Sequence, residues 1–393
     1  LVGGDWQGSN GVLQATYTTV EKDTLIDTSS KGVGNGGKIV VWSDVKDPNS
    51  KTTTRGQLSS KANIGDGGKI ETSGSTLDTL NTTVNTSSVT GNYGTWLIDP
   101  TEINIDAAAA STYVTNLIAS DVDIQAENTI NVNSSITYSG ERSNGTLTFT
   151  APTTVLNAPV TSTSQPLNVT FNADKVEGAG NLSLSGGILT VDVSEESSSE
   201  VNPYSGVLSN LSLNKQGVGM LKLSGANTYT GATTISAGTL SVTGTLGSRI
   251  KRDDRFTYAG NIANSGTLAM GSSSEQTLSG VISGTGALTK SGSGRLNLSG
   301  INTYEGATTI SAGSLAAGNL ADTTALSVAS GATYLLDGSD TVGSIAGAGN
   351  INLLNRTLTI AGDSDTNFSG VISGIEGRLT KSGSGTLTLS GIN

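Results

Sequence analysis

Three stretches of this chain repeat one another. Leu288-Thr289-Lys290-Ser291-Gly292-Ser293-Gly294-Arg295-Leu296-Asn297-Leu298-Ser299-Gly300-Ile301-Asn302-Thr303-Tyr304 has an earlier copy in Met220-Leu221-Lys222-Leu223-Ser224-Gly225-Ala226-Asn227-Thr228-Tyr229. A third begins at Leu379-Thr380-Lys381-Ser382-Gly383-Ser384-Gly385-Thr386-Leu387-Thr388-Leu389 and runs to Asn393. Within each copy apolar and polar residues alternate, as in Leu296-Asn297-Leu298, so one face of a strand turns in and the other out. Glycine recurs every few residues, where positive φ would let the chain turn a corner. Short strands of this kind cannot bury their apolar faces singly, and stacking them in successive coils solves the problem. The interval from Tyr229 to Tyr304 is clearly shorter than the one from Asn302 to Asn393. Unequal spacings do not suit propeller blades of fixed length. They suit a solenoid in which whole coils or loops separate similar ones.

Composition narrows the function classes. Of 393 residues 53 are Gly and 6 Pro; aromatics make up 4% and charged residues 13%, both low for a globular enzyme. The net charge is −11 without a basic run, which speaks against nucleic acid as a partner. Cysteine is absent, so any extracellular stability must come from stacked strands. Neither a membrane-spanning apolar run nor a signal peptide is present. The chain starts at Leu1 and stops within a repeat, so it is expected to be a piece of a longer protein.

Residues 1–105 carry a different echo. Asn35-Gly36-Gly37-Lys38-Ile39-Val40-Val41-Trp42-Ser43-Asp44 returns as Asp66-Gly67-Gly68-Lys69-Ile70-Glu71-Thr72-Ser73-Gly74. Gly3-Gly4-Asp5-Trp6-Gln7-Gly8 opens this segment and Trp96-Leu97-Ile98-Asp99-Pro100 closes it. These motifs resemble the large filamentous-haemagglutinin-like exoproteins of two-partner secretion, with the high-molecular-weight adhesins of Gram-negative bacteria as the nearest subgroup. The carboxy-terminal copies resemble the autotransporter-associated, or passenger-associated transport, β-strand repeat. The resemblance implies export as an unfolded chain through an outer-membrane secretion partner and folding outside the cell. Some adhesins of that subgroup are glycosylated at Asn-X-Ser/Thr. Such triplets occur here at Asn81, Asn85, Asn133, Asn144, Asn168, Asn181, Asn210, Asn297, Asn355 and Asn367.

Residues 106–122 interrupt the strand pattern. Asp106 followed by four alanines reads as a capped helix start, and Tyr113, Leu117 and Ile118 fall on one helical face. A helix near residues 107–120 would cover a solenoid edge. Strands then resume from Val122 onwards, with Pro152, Pro159 and Pro166 in the turns. Ser194–Glu200 and the charge cluster Arg249–Arg255 read as exposed loops.

Motifs for chemistry are few. There is no histidine, which removes Ser-His-Asp and Cys-His machinery. Gly362-Asp363-Ser364 has the look of a nucleophile context, but Asp365 follows and no base exists to activate the serine. Gly32-Val33-Gly34-Asn35-Gly36-Gly37-Lys38 nearly spells a phosphate loop, yet Ile39 stands where Ser or Thr must hold Mg²⁺. Asp363-Ser364-Asp365-Thr366-Asn367 matches the first ligand positions of a calcium loop, but Gly374 stands where the bidentate carboxylate belongs; Asp337-Gly338-Ser339-Asp340 is a weaker match. The acids are scattered, with no gathering of the kind a glycan-cleaving β-helix needs. Ser, Thr and Asn are expected at outward positions, as in Thr82-Thr83, Thr233-Thr234 and Thr308-Thr309. Stacked hydroxyls and amides there would form stabilising ladders.

The fold expected is therefore all-β: an elongated β-solenoid (right-handed parallel β-helix) with one short helix. Three segments are expected: a haemagglutinin-like β-helix over 1–105, its continuation with the helical insertion over 106–200, and the autotransporter-associated repeats over 201–393. The function expected is the rod or stalk of a secreted surface adhesin that serves attachment, aggregation or biofilm formation. No catalytic, cofactor or metal residues are assigned. A host-cell, matrix or glycan receptor and end-to-end self-association are the partners in view. The alternatives are a polysaccharide-binding or polysaccharide-cleaving β-helix and an ice- or crystal-surface binder.

Overall fold

The computed structural model describes residues 1–194, 203–250 and 254–391. Most of the acidic stretch (195–200), the middle of the charge cluster (251–253) and the last two residues of the third copy lie outside the described residues. Half the chain is strand and 4% helix, in an all-β solenoid of about 15 turns; among the described residues there is one α-helix, and it is short. Two compact units divide it, Leu1–Asp192 and Val193–Asn393.

In the first unit the strands Lys38–Trp42, Lys69–Gly74, Thr95–Pro100, Asp121–Gln125, Gly145–Thr150 and Leu167–Ala173 stack in parallel as successive rungs. The Gly-Gly-Lys echo is one coil, since Lys38 lies in register with Lys69. Later coils are shorter than that first step: Lys69 pairs with Thr95, and Gly145 with Leu167. Alternation sets the facing. In Gly145–Thr150, Leu147 and Phe149 are fully buried while Thr146, Thr148 and Thr150 are half-exposed. Phe149 stacks on Phe171 of the next rung at 5.2 Å. Burying side chains of this size contributes about 1.5–3 kcal/mol each.

The corner glycines serve two needs. Gly313 has φ +66°, as a tight turn requires. At Gly67, by contrast, a Cβ would lie 1.7 Å from the carbonyl oxygen of Thr86 on the next coil, so there the missing side chain lets two backbones meet.

The helix spans Ala107–Leu117. Asp106 caps it, its carboxylate accepting from the Ala108 and Ala109 amides at 3.0 and 2.9 Å. Tyr113 and Leu117 are buried, with Tyr113 edge-on to Trp96 at 5.8 Å. Ile118, expected on the same face, is instead 49% exposed: at about 100° per residue it lies roughly 140° around the helix from Tyr113, away from the buried side. Asn116 takes the buried place. Its carboxamide accepts from the Val84 amide at 2.7 Å and donates to the Thr82 carbonyl at 2.9 Å. The sheet Leu25–Asp27, Gln57–Ser59, Thr83–Asn85 ends at Thr83–Asn85, and there the helix supplies the hydrogen bonds that a further strand would have made.

In the second unit one face carries Thr239–Val242, Thr267–Met270, Ala287–Lys290 and Thr308–Ile310. Coils here are shorter again: Thr267 pairs with Ala287, and Leu288 with Thr308. The exception is the longer step from Leu240 to Leu268, within which Ser248–Arg249 pairs antiparallel with Phe256–Thr257 of the strand Arg255–Tyr258. Of the whole coils or loops expected between the copies, a loop is found in that longer step, while the intervals between successive copies are not whole numbers of coils. Lys215, one residue before the end of its strand Leu208–Gln216, lies in register with Ile235 and Asn264, on a different face from Lys290. The column of Lys290 runs on through Ile310, Val328, Gly347, Phe368 and Leu389, and passes Lys381 by. Each copy thus starts on a different side of the coil from its predecessor. The threonine pairs also need correction, since Thr82, Thr233 and Thr308 are buried and only Thr83, Thr234 and Thr309 turn outward.

Replacing Asn116 with Ala should strand the Val84 amide and the Thr82 carbonyl and cost about 1–3 kcal/mol. Thr115→Ala on the exposed side should stay within about 0.5 kcal/mol. Chemical unfolding of both variants, with hydrogen exchange at Val84 as a local readout, tests the difference.

Candidate functional site

The repeat's polar signature residues turn inward. Lys215 is fully buried, and its ammonium donates to the carbonyls of Gln216, Gly217 and Ala237. Lys290, 2% exposed, donates to Gly292 O of its own corner and to Ala312 O on the next coil at 3.3 Å. Lys381 donates to Gly383 O at 2.6 Å and to Gly362 O on the preceding coil at 3.1 Å. Burial pulls the Lys290 ammonium below the ordinary lysine range. The repeat asparagines act likewise. Asn227 accepts from the Leu208 amide and donates to Gly225 O; Asn302 accepts from the Ile282 amide and donates to Gly300 O. Tyr229 and Tyr304, both buried, share their hydroxyls with Thr233 at 3.0 Å and Thr308 at 2.6 Å. The lysines and asparagines staple neighbouring coils, while the tyrosine hydroxyls tie off a corner within one coil. Lys290→Met should leave its corner carbonyls unpaired and cost about 1–3 kcal/mol, whereas Lys222→Met on the outward side should cost under about 0.5 kcal/mol; urea titration of each variant measures this.

The motifs weighed for chemistry also lie at inter-coil contacts. Asp363 accepts from the Ser384 amide and hydroxyl at 2.9 and 2.8 Å, and Asp365 from the Thr386 amide at 2.6 Å; these bonds hold both carboxyls below the usual range. Asp340 is buried, takes the Tyr334 hydroxyl at 2.7 Å, and is raised chiefly by burial. Lys38 of the near-phosphate loop begins a strand and lies 4.9 Å from the centre of the Trp6 ring. Among the described residues no group of three acidic side chains is placed to hold a metal ion.

One gathering of acids does exist, contrary to the sequence reading. On the outer face of the long sheet in the first unit, register sets Val40, Glu71, Leu97 and Asp123 in one column and Trp42, Ser73 and Asp99 in the next. Rungs are about 4.8 Å apart, so three carboxylates occupy three successive rungs. Burial pushes Glu71 up to about 7, with the charge of Asp99 adding to it. It pushes Asp99 up to about 6, helped by Glu127 and Asp123, and it raises Asp123 too. Glu71 has no exposed surface; the Gln7 amide donates to both its oxygens at 3.1 Å, and the Ser73 hydroxyl donates at 3.1 Å. These acids are distant in the chain and unequally spaced, a pattern no motif scan singles out. Laying Lys69–Gly74 against Thr95–Pro100 and Asp121–Gln125 would have aligned them.

The passenger-associated-transport-repeat model matches residues 213–242, 288–317 and 379–393, a minority of the chain. Such repeats belong to autotransporter passenger domains, which are secreted or surface-exposed. The first two matched segments hold the lysine, asparagine and tyrosine described above, and the third holds Lys381. No curated protein matches the chain, and no solved structure does. Among the described residues no helix is long and apolar enough to cross a membrane.

Proposed function

We propose that the chain is the rod of a secreted bacterial surface protein of the adhesin kind and that it works without catalysis. The observation that carries this is the coincidence of three passenger-repeat matches with lysines that bridge coils of a β-solenoid, two of them buried. A repeat whose characteristic side chains are spent on coil-to-coil bonds serves length and rigidity, because each coil needs only its neighbours. On this reading the outward residues meet a host-cell, matrix or glycan receptor at the outer surface of a Gram-negative cell. Export runs through an outer-membrane secretion partner in the haemagglutinin-like manner, nucleic acid is not a ligand, and exposed solenoid ends stack on one another at high concentration.

Beads coated with the protein should adhere to epithelial cells, matrix proteins or bacterial cells several-fold more than beads coated with an inert protein of equal charge. Adhesion at the level of the inert control on all three would count against the reading. A second reading, a polysaccharide-binding or polysaccharide-cleaving β-helix, draws on the row of Glu71, Asp99 and Asp123. It requires new reducing ends or unsaturated products from a panel of acidic and neutral glycans, and loss of that activity in Asp99→Asn.

A further inference from the structure

The amino-terminal segment lies across the outer face that bears the acids. Val2 joins the edge of the sheet, its amide donating to Val40 O at 2.8 Å and its carbonyl accepting from the Trp42 amide at 2.9 Å. Gly4 passes so close to the Trp42 ring that a Cβ there would sit 2.3 Å from Cδ1. Trp6 covers the stacked ammonium groups of Lys38 and Lys69, at 4.9 and 6.0 Å from the ring centre. Gln7 holds a left-handed φ of +46° and aims its amide at both oxygens of Glu71. Gln14 takes the Trp42 indole N–H at 2.8 Å. Beneath lie Val40, Trp42, Glu71 and Ser73, each 2% exposed or less. The cover therefore sits on apolar surface and, at its centre, on one ionisable carboxyl.

We propose that residues 2–14 form a pH-responsive strap, closed most firmly over protonated Glu71 and loosened when that carboxyl ionises. The charged groups around Glu71 are Lys38 and Lys69 on its own sheet and Asp99 on the following rung; Asp99 in turn faces Asp123 and Glu127, and Asp5 lies on the strap beside Lys38. Closing removes water from Glu71. The Gln7 amide, the Ser73 hydroxyl and Lys38 favour its charge, while burial and Asp99 oppose it, and burial is the largest influence. Closed, Glu71 titrates near 7; open to water, it returns toward the ordinary 4.5. The closed state binds the extra proton, so closure is fully favoured below about pH 4.5, weakens as pH rises towards 7, and is level above that.

The test is hydrogen exchange of the full chain at pH 5 and pH 8, corrected for base catalysis of intrinsic exchange, read at the amides of Val2, Gln7, Ala15 and Trp42. Protection there should fall at least about tenfold between the two pH values, while amides in Gly145–Thr150 keep theirs. In Glu71→Gln, which retains an acceptor for the Gln7 amide, the strap should stay equally protected at both. Gln7→Gly, which relieves the left-handed φ and keeps the carboxyl, should raise protection at both pH values without changing the ratio. A wild-type strap with no pH dependence overturns the proposal. So does the same tenfold fall in Glu71→Gln, or, should that variant not fold, a Gln7→Gly strap whose protection is lower than wild type at pH 5.

Discussion

The stacked strands of this protein depend on the parallel ladder of backbone hydrogen bonds that runs from coil to coil. A strand of three or four residues, such as Thr308–Ile310 or Thr333–Leu336, has no partner within its own coil. Its amides and carbonyls are satisfied only by the rungs before and after. Where a ladder stops inside the molecule something must take over. The sheet ending at Thr83–Asn85 shows how, for Asn116 and Ala119 of the helical insertion meet the backbone groups of Thr82, Val84 and Thr86.

The corners pose a second difficulty. The chain leaves the ladder there, and carbonyls pointing inward have no strand to pair with. The passenger-type repeats answer it with side chains long enough to reach. A lysine ammonium has three donors and collects two or three carbonyls, and a carboxamide gives and takes at once. An unpaired buried carbonyl costs about 1–3 kcal/mol. Desolvating an ammonium costs several kcal/mol, which is why the lysine is worth having only where more than one carbonyl converges.

Much of this was legible beforehand. Period-two alternation in Leu296-Asn297-Leu298 marked strands, the Gly-Gly-Lys recurrence measured one coil, and Asp106 with its alanines marked a helix within three residues of its end. What stayed hidden depends on contacts between coils. The row Glu71, Asp99 and Asp123 arises because coils of slightly different length bring unlike sequences side by side. The contact between Gln7 and Glu71 joins distant parts of the chain and leaves no trace in local pattern.

The staggered placement of the copies around the coil bears on how such a protein can grow. If every copy had to begin on the same side, only duplications of complete turns would survive recombination. Here a lysine corner closes equally well on more than one side, at Lys215, Lys290 and Lys381. Unequal crossing-over between copies can therefore add or remove lengths that are not multiples of a turn and still leave each corner sealed. The spacing of the copies is thereby freed from whole turns, and the residues beside successive corners face different sides of the coil.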